Sequence, residues 1–503
     1  MSLMLKKESY PYFEISPFEN TECSVDTEYF LPDYCPDIQR ILKCSASADI
    51  ISYSVSQDKM MIQGNLNIIV MYLDEKGECI RNCELSKEFT SNFKINGHND
   101  KSIVYLKTFC GHIICRAVSA RKLDIHIPVN VSCSFCRINE FEYTEDAKDC
   151  EKREQYITAS KALRAYSKES TVAENLELSN SMKPIEAIIR RDIEFLDVKA
   201  VATDDAVEIT STIEITAVYR SYSENSAIEK LKYQVPFNER IELTGVDRDT
   251  EIKCNIIKGE LSIQPKEDSM GDNTILSLFT KFSINLLTFK SDTFKLISDV
   301  FPLSHQSLEK FTKHNFKTYF AKENSVSQSV DVTLDNIEKI IDIWCENPDV
   351  NTFYEQNKLN YRGKYNVNIL YSNQEKKINY LTKSVDFISQ INLKDSNFIN
   401  VNNFVKAKVC DYKITGASSL NIKCEILIDS FAERIESVKA LENSEVGKEL
   451  TDAKGRLNII YEKNELSLWD IAKSHRVSVQ DIMDINSFIS EEEISFPIMI
   501  YKN

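Results

Sequence analysis

Two cysteines three positions apart, Cys133 and Cys136, have the spacing of a zinc-ligand pair. A zinc site needs four converging ligands, and the sequence has no second C-x-x-C pair, although Cys79 and Cys83 lie nearby in the chain. The 14 cysteines are scattered through apolar segments, where a free thiol behaves as a small hydrophobic side chain. This predicts unpaired thiols in a reducing compartment. We predict no metal site, while metal binding by Cys133 and Cys136 stays open.

Histidine and carboxylate residues offer no recognisable catalytic arrangement. The histidines are His98, His112, His126, His305, His314 and His475. None lies in an H-E-x-x-H motif or next to a nucleophile in a glycine-rich elbow. Asp33 and Asp37 beside Pro36 could bind a cation, but turn or cap formation is the preferred interpretation. Only 11 glycines in the chain argue against a phosphate loop. We therefore predict that the protein is not an enzyme and takes no cofactor.

The overall composition restricts the classes of partner. A chain of 503 residues is expected to form several domains. Its net charge of −16 would repel phosphate backbones, so nucleic acid is not an expected partner. No apolar run reaches the length of a signal peptide or a membrane helix, so we expect no membrane insertion.

An internal repeat organises most of the chain. Three copies open with the same apolar pattern, 147 and 152 residues apart, starting at Ile38, Ile185 and Ile337. Each copy then has an alternating apolar strand that ends in a tyrosine, at Tyr72, Tyr219 and Tyr371. A following strand carries a phenylalanine, at Phe89, Phe237 and Phe387. The recurring register predicts three copies of one folding unit.

Alternation with a period of two predicts strands with one buried face. The predicted fold is therefore mainly β, with three tandem sandwich-like or barrel-like repeats followed by a small α+β domain. Charged segments at 145–183 and 432–455 are predicted to be solvated helix or linker. The predicted boundaries are 1–144 for the N-terminal segment and repeat 1, 145–176 for a helical linker, 177–300 for repeat 2, 301–440 for a connector and repeat 3, 441–455 for a linker, and 456–503 for the last domain.

The last domain reads as a strand, two capped helices and a closing strand. The first strand runs from Leu457 to Tyr461, and the last contains Ile498. Ser467 with Asp470 three residues later is a capping-box signal, and Ser478 with Asp481 repeats it. We therefore predict a βααβ order for this domain.

This βααβ segment resembles a LysM domain through residues 467–472 and 477–486. That resemblance implies a module of the kind that grips chains of N-acetylglucosamine. In place of the Gly-Asp and Pro-Gly-Gln turns usual in LysM domains, this chain has Glu465-Leu466 and Ser495-Phe496-Pro497. Such glycines let a backbone approach the sugar closely. The segment from 457 to 503 also carries twice as many acidic as basic residues, and we predict a protein-binding version of the fold.

The first repeat resembles the SPOCS domain of clostridial spore-coat proteins. The resemblance rests on the run from Leu31 to Leu42, Leu-Pro-Asp-Tyr-Cys-Pro-Asp-Ile-Gln-Arg-Ile-Leu, and on Gly64 with the strand to Tyr72. Three such repeats before a LysM-like domain imply a spore-coat scaffold of the mother-cell cytoplasm, located at the forespore surface. The implied partner is the coat morphogenetic ATPase SpoIVA, bound through the LysM-like domain, and other coat proteins could bind as well.

Five apolar residues of the last domain are the candidate partner contacts. Trp469 is the leading one, because tryptophan is enriched at binding hot spots. The full set is Leu457, Ile459, Leu468, Trp469 and Ile471. Their alternative role is to form the domain's own small core. The alternative function is a cell-wall-associated protein that binds peptidoglycan.

Overall fold

The computed structural model describes residues 3–16, 18–56, 59–94, 102–222, 227–355, 358–392, 398–450, 456–461, 467–487, 489 and 496–502. Nearly all of these residues lie in antiparallel strands, and the two helices among them are short and close to the C-terminus. The prediction of a mainly β protein is confirmed.

The first repeat is built from eight strands. They are Leu5–Ile15 (β1), Glu19–Phe30 (β2), Ile38–Ser56 (β3), Lys59–Asp74 (β4), Ile80–Lys94 (β5), Ile103–Cys110 (β6), Ile114–Ser119 (β7) and Lys122–Ala147 (β8).

The second and third repeats have six strands each. Two pairs of consecutive strands of the first repeat, β1 with β2 and β6 with β7, each correspond to one uninterrupted strand in the other repeats. Repeat 2 contains Glu151–Glu177 (β9), Ile185–Thr203 (β10), Ala206–Ser221 (β11), Ile228–Glu242 (β12), Glu251–Lys266 (β13) and Ile275–Phe301 (β14). Repeat 3 contains His305–Thr333 (β15), Ile337–Glu355 (β16), Lys358–Asn373 (β17), Ile378–Asn392 (β18), Phe398–Gly416 (β19) and Ser419–Glu449 (β20).

Each repeat is a sandwich of two sheets. One sheet is a meander, with orders β3-β4-β5, β10-β11-β12 and β16-β17-β18. The other sheet has a long central strand, β8, β14 or β20, paired on both sides. Alternate side chains of the two sheets meet in a separate apolar core in each repeat. The alternating sequence pattern predicts a sandwich-like or barrel-like unit, and the structure has the sandwich.

The three tyrosines that mark the repeat have one structural role. Each is buried at the end of the middle strand of its meander. The Tyr72 and Tyr219 hydroxyls donate to the carbonyl oxygens of Pro36 and Lys183 at 3.3 and 3.2 Å. The Tyr371 hydroxyl instead accepts from the backbone N–H of Asp335 at 3.3 Å. The tyrosine therefore ties each meander to the loop before its first strand.

The phenylalanine landmark pairs with a small residue on the neighbouring strand. Phe89 lies opposite Gly64, and Phe387 lies opposite Gly363, where the ring covers the glycine. In the second repeat the residue opposite Phe237 is a serine. The close approach explains why Gly64 belongs to the first repeat's sequence signature.

The segment from Leu31 to Leu42 is held by an arginine in the turn between β7 and β8. Arg121 donates to the carbonyl oxygens of Cys35 and Pro32 at 3.0 and 2.7 Å, and to the carboxylate of Asp37 at 2.7 Å. Asp33 lies 3.9 Å from the same guanidinium. Both acidic residues therefore brace a turn through Arg121, which agrees with the turn interpretation.

The three sandwiches close into a ring. The last meander strand of each repeat contacts the first meander strand of the next, so β5 meets β10, β12 meets β16, and β18 meets β3. A register irregularity recurs immediately before the equivalent residues Lys43, Arg190 and Asp342. Bulges re-aim side chains, and here these charges join neighbouring repeats. Arg190 binds Asp342 at 2.7 Å, and Lys43 binds Glu346 at 2.9 Å.

Two apolar clusters lie where all three repeats meet. The first, on the meander side, contains Leu42, Ile189 and Trp344. The second contains Phe13, Phe289 and Tyr319. An open cavity of about 2520 Å³ is lined by residues of all three repeats, among them Leu42, Ile189 and Trp344.

The long strands continue beyond the sandwiches as three two-stranded arms. The arms pair residues 5–15 with 136–147, 151–162 with 289–301, and 305–320 with 432–449. They pack together around a shared aromatic cluster that includes Tyr10, Tyr143 and Phe316. These arms correct one prediction: most residues of the charged segments at 145–183 and 432–455 lie in β9 and β20 and not in helices or linkers. Many of their polar residues are exposed, and small apolar residues such as Ala159 and Ala440 are buried between arms.

The arms also change where the repeats begin. The predicted linker at 145–176 is largely β9, which pairs along the whole of β14 and so belongs to repeat 2. The predicted linker at 441–455 begins inside β20, and its residues 451–455 lie outside the described chain.

Candidate functional site in the tail module

The tail module is a strand, two helices and a strand, in the predicted order. They are Arg456–Ile460 (β21), Leu468–His475 (α1), Val479–Ile485 (α2) and Ile498–Lys502 (β22). The two strands pair antiparallel. The predicted turn at Glu465-Leu466 and residue Ser495 lie outside the described residues.

Both helices begin at the predicted caps. The Ser467 hydroxyl accepts from the backbone N–H of Asp470, and the Asp470 carboxylate accepts from the backbone N–H of Ser467, both at 3.2 Å. Ser478 accepts from the Asp481 N–H at 3.0 Å. These caps satisfy N–H groups that the first turn of a helix leaves without partners.

A buried asparagine joins the helices to the sheet. Asn486 donates to the carbonyl oxygens of Ile482 and Met499 at 2.7 and 2.6 Å, and it accepts from the Met499 N–H at 2.8 Å. A buried amide is stable only when its polar atoms are paired, and this one fixes the second helix against β22.

The five candidate contact residues fall into three environments. Leu468 and Ile471 are buried in the core of the module. Leu457 and Ile459 lie on the open face of the sheet, with 56% and 44% of their surface exposed. Trp469 is half-buried on the outer side of α1, against the arms. The structure therefore brings together only Leu457 and Ile459 on one accessible surface.

The open sheet face contains further residues that the sequence analysis did not single out. Leu457 lies opposite Tyr501, and Ile459 lies opposite Met499. Tyr461 and Tyr501 are 71% and 41% exposed. We call Leu457, Ile459, Tyr461, Met499 and Tyr501 the sheet face. The alternation of side chains along both strands was the sequence signal that could have identified the sheet face.

The other side of the module is docked on the arms. The Trp469 indole N–H donates to the Asp299 carboxylate at 2.9 Å, and its ring packs edge-on against Phe301, with centroids 5.0 Å apart. The Lys473 ammonium lies 2.6 Å from the other Asp299 oxygen and 3.7 Å from Glu309. We call Asp299, Phe301, Ser307, Glu309 and Phe311 the dock.

Phe301 connects the dock to the core of the module. Its side chain is fully buried, and it belongs to the same apolar cluster as Leu468, Ile471 and Ile482. Arg476 adds longer polar contacts, to the Pro302 carbonyl oxygen at 3.4 Å and the Ser307 hydroxyl at 3.2 Å. No local sequence signal links these residues to Trp469, because about 170 positions separate them.

The paired cysteines of the first repeat do not converge. Cys133 lies in the core of repeat 1, 3.6 Å from the Met60 sulfur, whereas Cys136 lies in the cluster between repeats. Burial raises the pKa of both thiols to about 12. Within the described residues no group of three potential metal ligands is present. All 14 cysteines are free.

No described helix is both long and apolar enough to cross a membrane.

Comparison with known proteins gives one family. The model of the SipL SPOCS domain matches residues 37–118 and 184–264, which correspond to β3–β7 of repeat 1 and β10–β13 of repeat 2. No curated protein and no solved structure matches the chain. The matched regions occupy equivalent positions in the first two sandwiches, and the third sandwich has the same meander. The first two sandwiches thus each contain a region similar to the SipL SPOCS domain, a match that fits a sporulation-related protein.

Proposed function

We propose that this protein is a non-enzymatic adaptor of endospore coat assembly, which binds a SpoIVA-like coat ATPase through the sheet face of its tail module. It acts in the mother-cell cytoplasm at the forespore surface, where it helps coat layers encase the forespore. The two regions similar to the SipL SPOCS domain support a role in sporulation, and the LysM-like βααβ module offers a compact binding element.

One observation carries the choice of surface. The sheet face exposes a row of large apolar side chains on a two-stranded sheet, and exposed apolar clusters mark interaction sites. Aromatic residues at the two ends, Tyr461 and Tyr501, add the side-chain type that dominates binding hot spots. The polar groups around Trp469 are, by contrast, already paired with the arms.

The experiment compares full-length variants with the purified ATPase. Replacing Leu457 or Ile459 by arginine places a charge in an apolar contact, and we expect affinity to fall by at least tenfold, as measured by calorimetry. Val201→Arg, at an exposed apolar strand residue of repeat 2, is the matched control and should leave affinity unchanged. Equal binding by all three variants would remove the sheet face as the site.

The same variants address location in the cell. A fluorescent fusion carrying Leu457→Arg should lose its position around the forespore, whereas the Val201→Arg fusion should keep it. Retention of the protein on purified peptidoglycan, abolished by Leu457→Arg, would instead favour a cell-wall module.

A further inference from the structure

Three side chains of the tail module point at the arms from α1 and its C-cap. Trp469 and Lys473 are four residues apart, which places them on one face of α1. Arg476 follows directly after the helix, as its left-handed C-cap. All three contact residues of the dock. The sheet face carries none of these contacts, so α1 is directed toward the arms and the sheet toward solvent.

Asp299 is the polar centre of this contact. One of its oxygens accepts from the indole of Trp469, and the other binds Lys473. Glu309 reinforces the negative charge beside Lys473, and Phe311 lies under the same ammonium, 5.9 Å from ring centroid to nitrogen. A tryptophan and a lysine four residues apart on a helix therefore fit an acidic and aromatic slot.

Undocking would have a direct structural cost. Phe301 is fully buried and packs within the core of the module, so separating the module from the arms would expose it to water. The chain also reaches the module close to the dock: the Leu450 N–H donates to the Ser304 carbonyl at 2.9 Å, and β21 starts at Arg456. So short a connection gives the module a high effective concentration at its dock.

We infer that Trp469 and Asp299 are positioning residues for partner binding: they seat the module on the arms with its sheet face outward, and Trp469 does not itself contact the partner. This inference rests on the proposed function. A substitution at Trp469 then weakens partner binding indirectly, through loss of the seat that Asp299 shares.

A double-mutant cycle separates this role from a direct contact. Affinity for the purified ATPase is measured for the full chain, Trp469→Ala, Asp299→Ala and the double variant. We expect each single change to weaken binding about three- to tenfold, and the double variant to be no weaker than the worse single one. Asp299→Glu, which keeps the carboxylate, should recover most of the affinity. Independent, multiplying losses, or normal binding by Asp299→Ala, would overturn the inference.

A second measurement tests the seat without any partner. Hydrogen exchange at the amides of α1, Leu468–His475, should accelerate at least tenfold in Asp299→Ala. Asp249→Ala, at a highly exposed aspartate of repeat 2, is the control and should leave α1 unchanged. Unchanged exchange in Asp299→Ala would show that no seat exists. A different result would refute the proposed function alone. In it, α1 exchange accelerates in Asp299→Ala as expected, but the parent chain does not bind the ATPase.

Discussion

Each sandwich of the ring encloses an apolar core between its own two sheets, whereas the tail module completes its core with Phe301 from the arms. Small domains bury a lower fraction of their surface and are correspondingly marginal. Each repeat therefore has an apolar core of its own, whereas the core of the module depends on the surface that carries it. This contrast predicts which substitutions in one region destabilise the other region as well.

The largest expected effect is on the module. Phe301→Ala removes a fully buried ring from its core, and we expect it to destabilise the module by about 3–5 kcal/mol while the sandwiches stay folded. Hydrogen exchange should accelerate throughout α1 and α2. Phe279→Ala, at a partly exposed position of the same strand, is the control. Equal protection of α1 in both variants would mean that the module folds without the arms.

An intermediate effect is expected inside one repeat. A Cβ added at Gly363 would lie 2.2 Å from the Asp349 carbonyl oxygen and 2.4 Å from the Phe387 ring. Gly363→Ala should therefore cost about 1–3 kcal/mol through overpacking in repeat 3. Gly416→Ala is the matched control, because its nearest neighbour is 3.8 Å away. Urea denaturation followed by exchange at β17 measures the difference, and similar losses for the two variants would contradict it.

The smallest effect concerns pH and should be confined to the ring. Burial raises the pKa of Asp49 to about 6, against about 3.9 in an unfolded chain. The folded state thus holds this proton more tightly, and ionisation opposes folding: the penalty is absent below about pH 4, grows toward pH 6 and is constant above it.

Asp49→Asn cannot ionise and still offers an oxygen to the Asn67 amide, which donates to Asp49 at 2.8 Å. The variant should gain stability relative to the parent as pH rises from 4 to 7, by up to about 2 kcal/mol. Thermal melts at several pH values measure this, with α1 exchange as an internal reference. A constant difference between variant and parent across that range would argue against it.

Period-two patterns and the repeat register were enough to predict three mainly β units, because alternation directly reports which side chains are buried. They did not choose between a sandwich and a barrel. The caps at Ser467 and Ser478 were equally readable, since a cap is a local feature. The arms were misread because the segments at 145–183 and 432–455 carry many charged residues and bury small ones such as Ala159 and Ala440, a pattern that also suits a solvated helix. Their burial comes from other arms, which are distant in the chain.

The candidate site was only partly predictable for the same reason. Leu457 and Ile459 share the open sheet face, but a sequence alone does not tell which side of a two-stranded sheet the helices cover. Trp469 was recognisable as special by its rarity. Its partners Asp299 and Phe301 carried no signal, because a contact between segments so far apart depends on how three repeats close around one another.

The closure of the three sandwiches into a ring also determines how many such contacts remain free for further copies of the chain. The surface by which one sandwich joins the next is used at all three junctions, from β5 to β10, β12 to β16 and β18 to β3. A head-to-tail contact that closes on itself leaves no free end for growth. Further copies cannot join by the same contact, so these junctions do not drive polymerisation. Each ring carries one tail module and therefore presents the sheet face once.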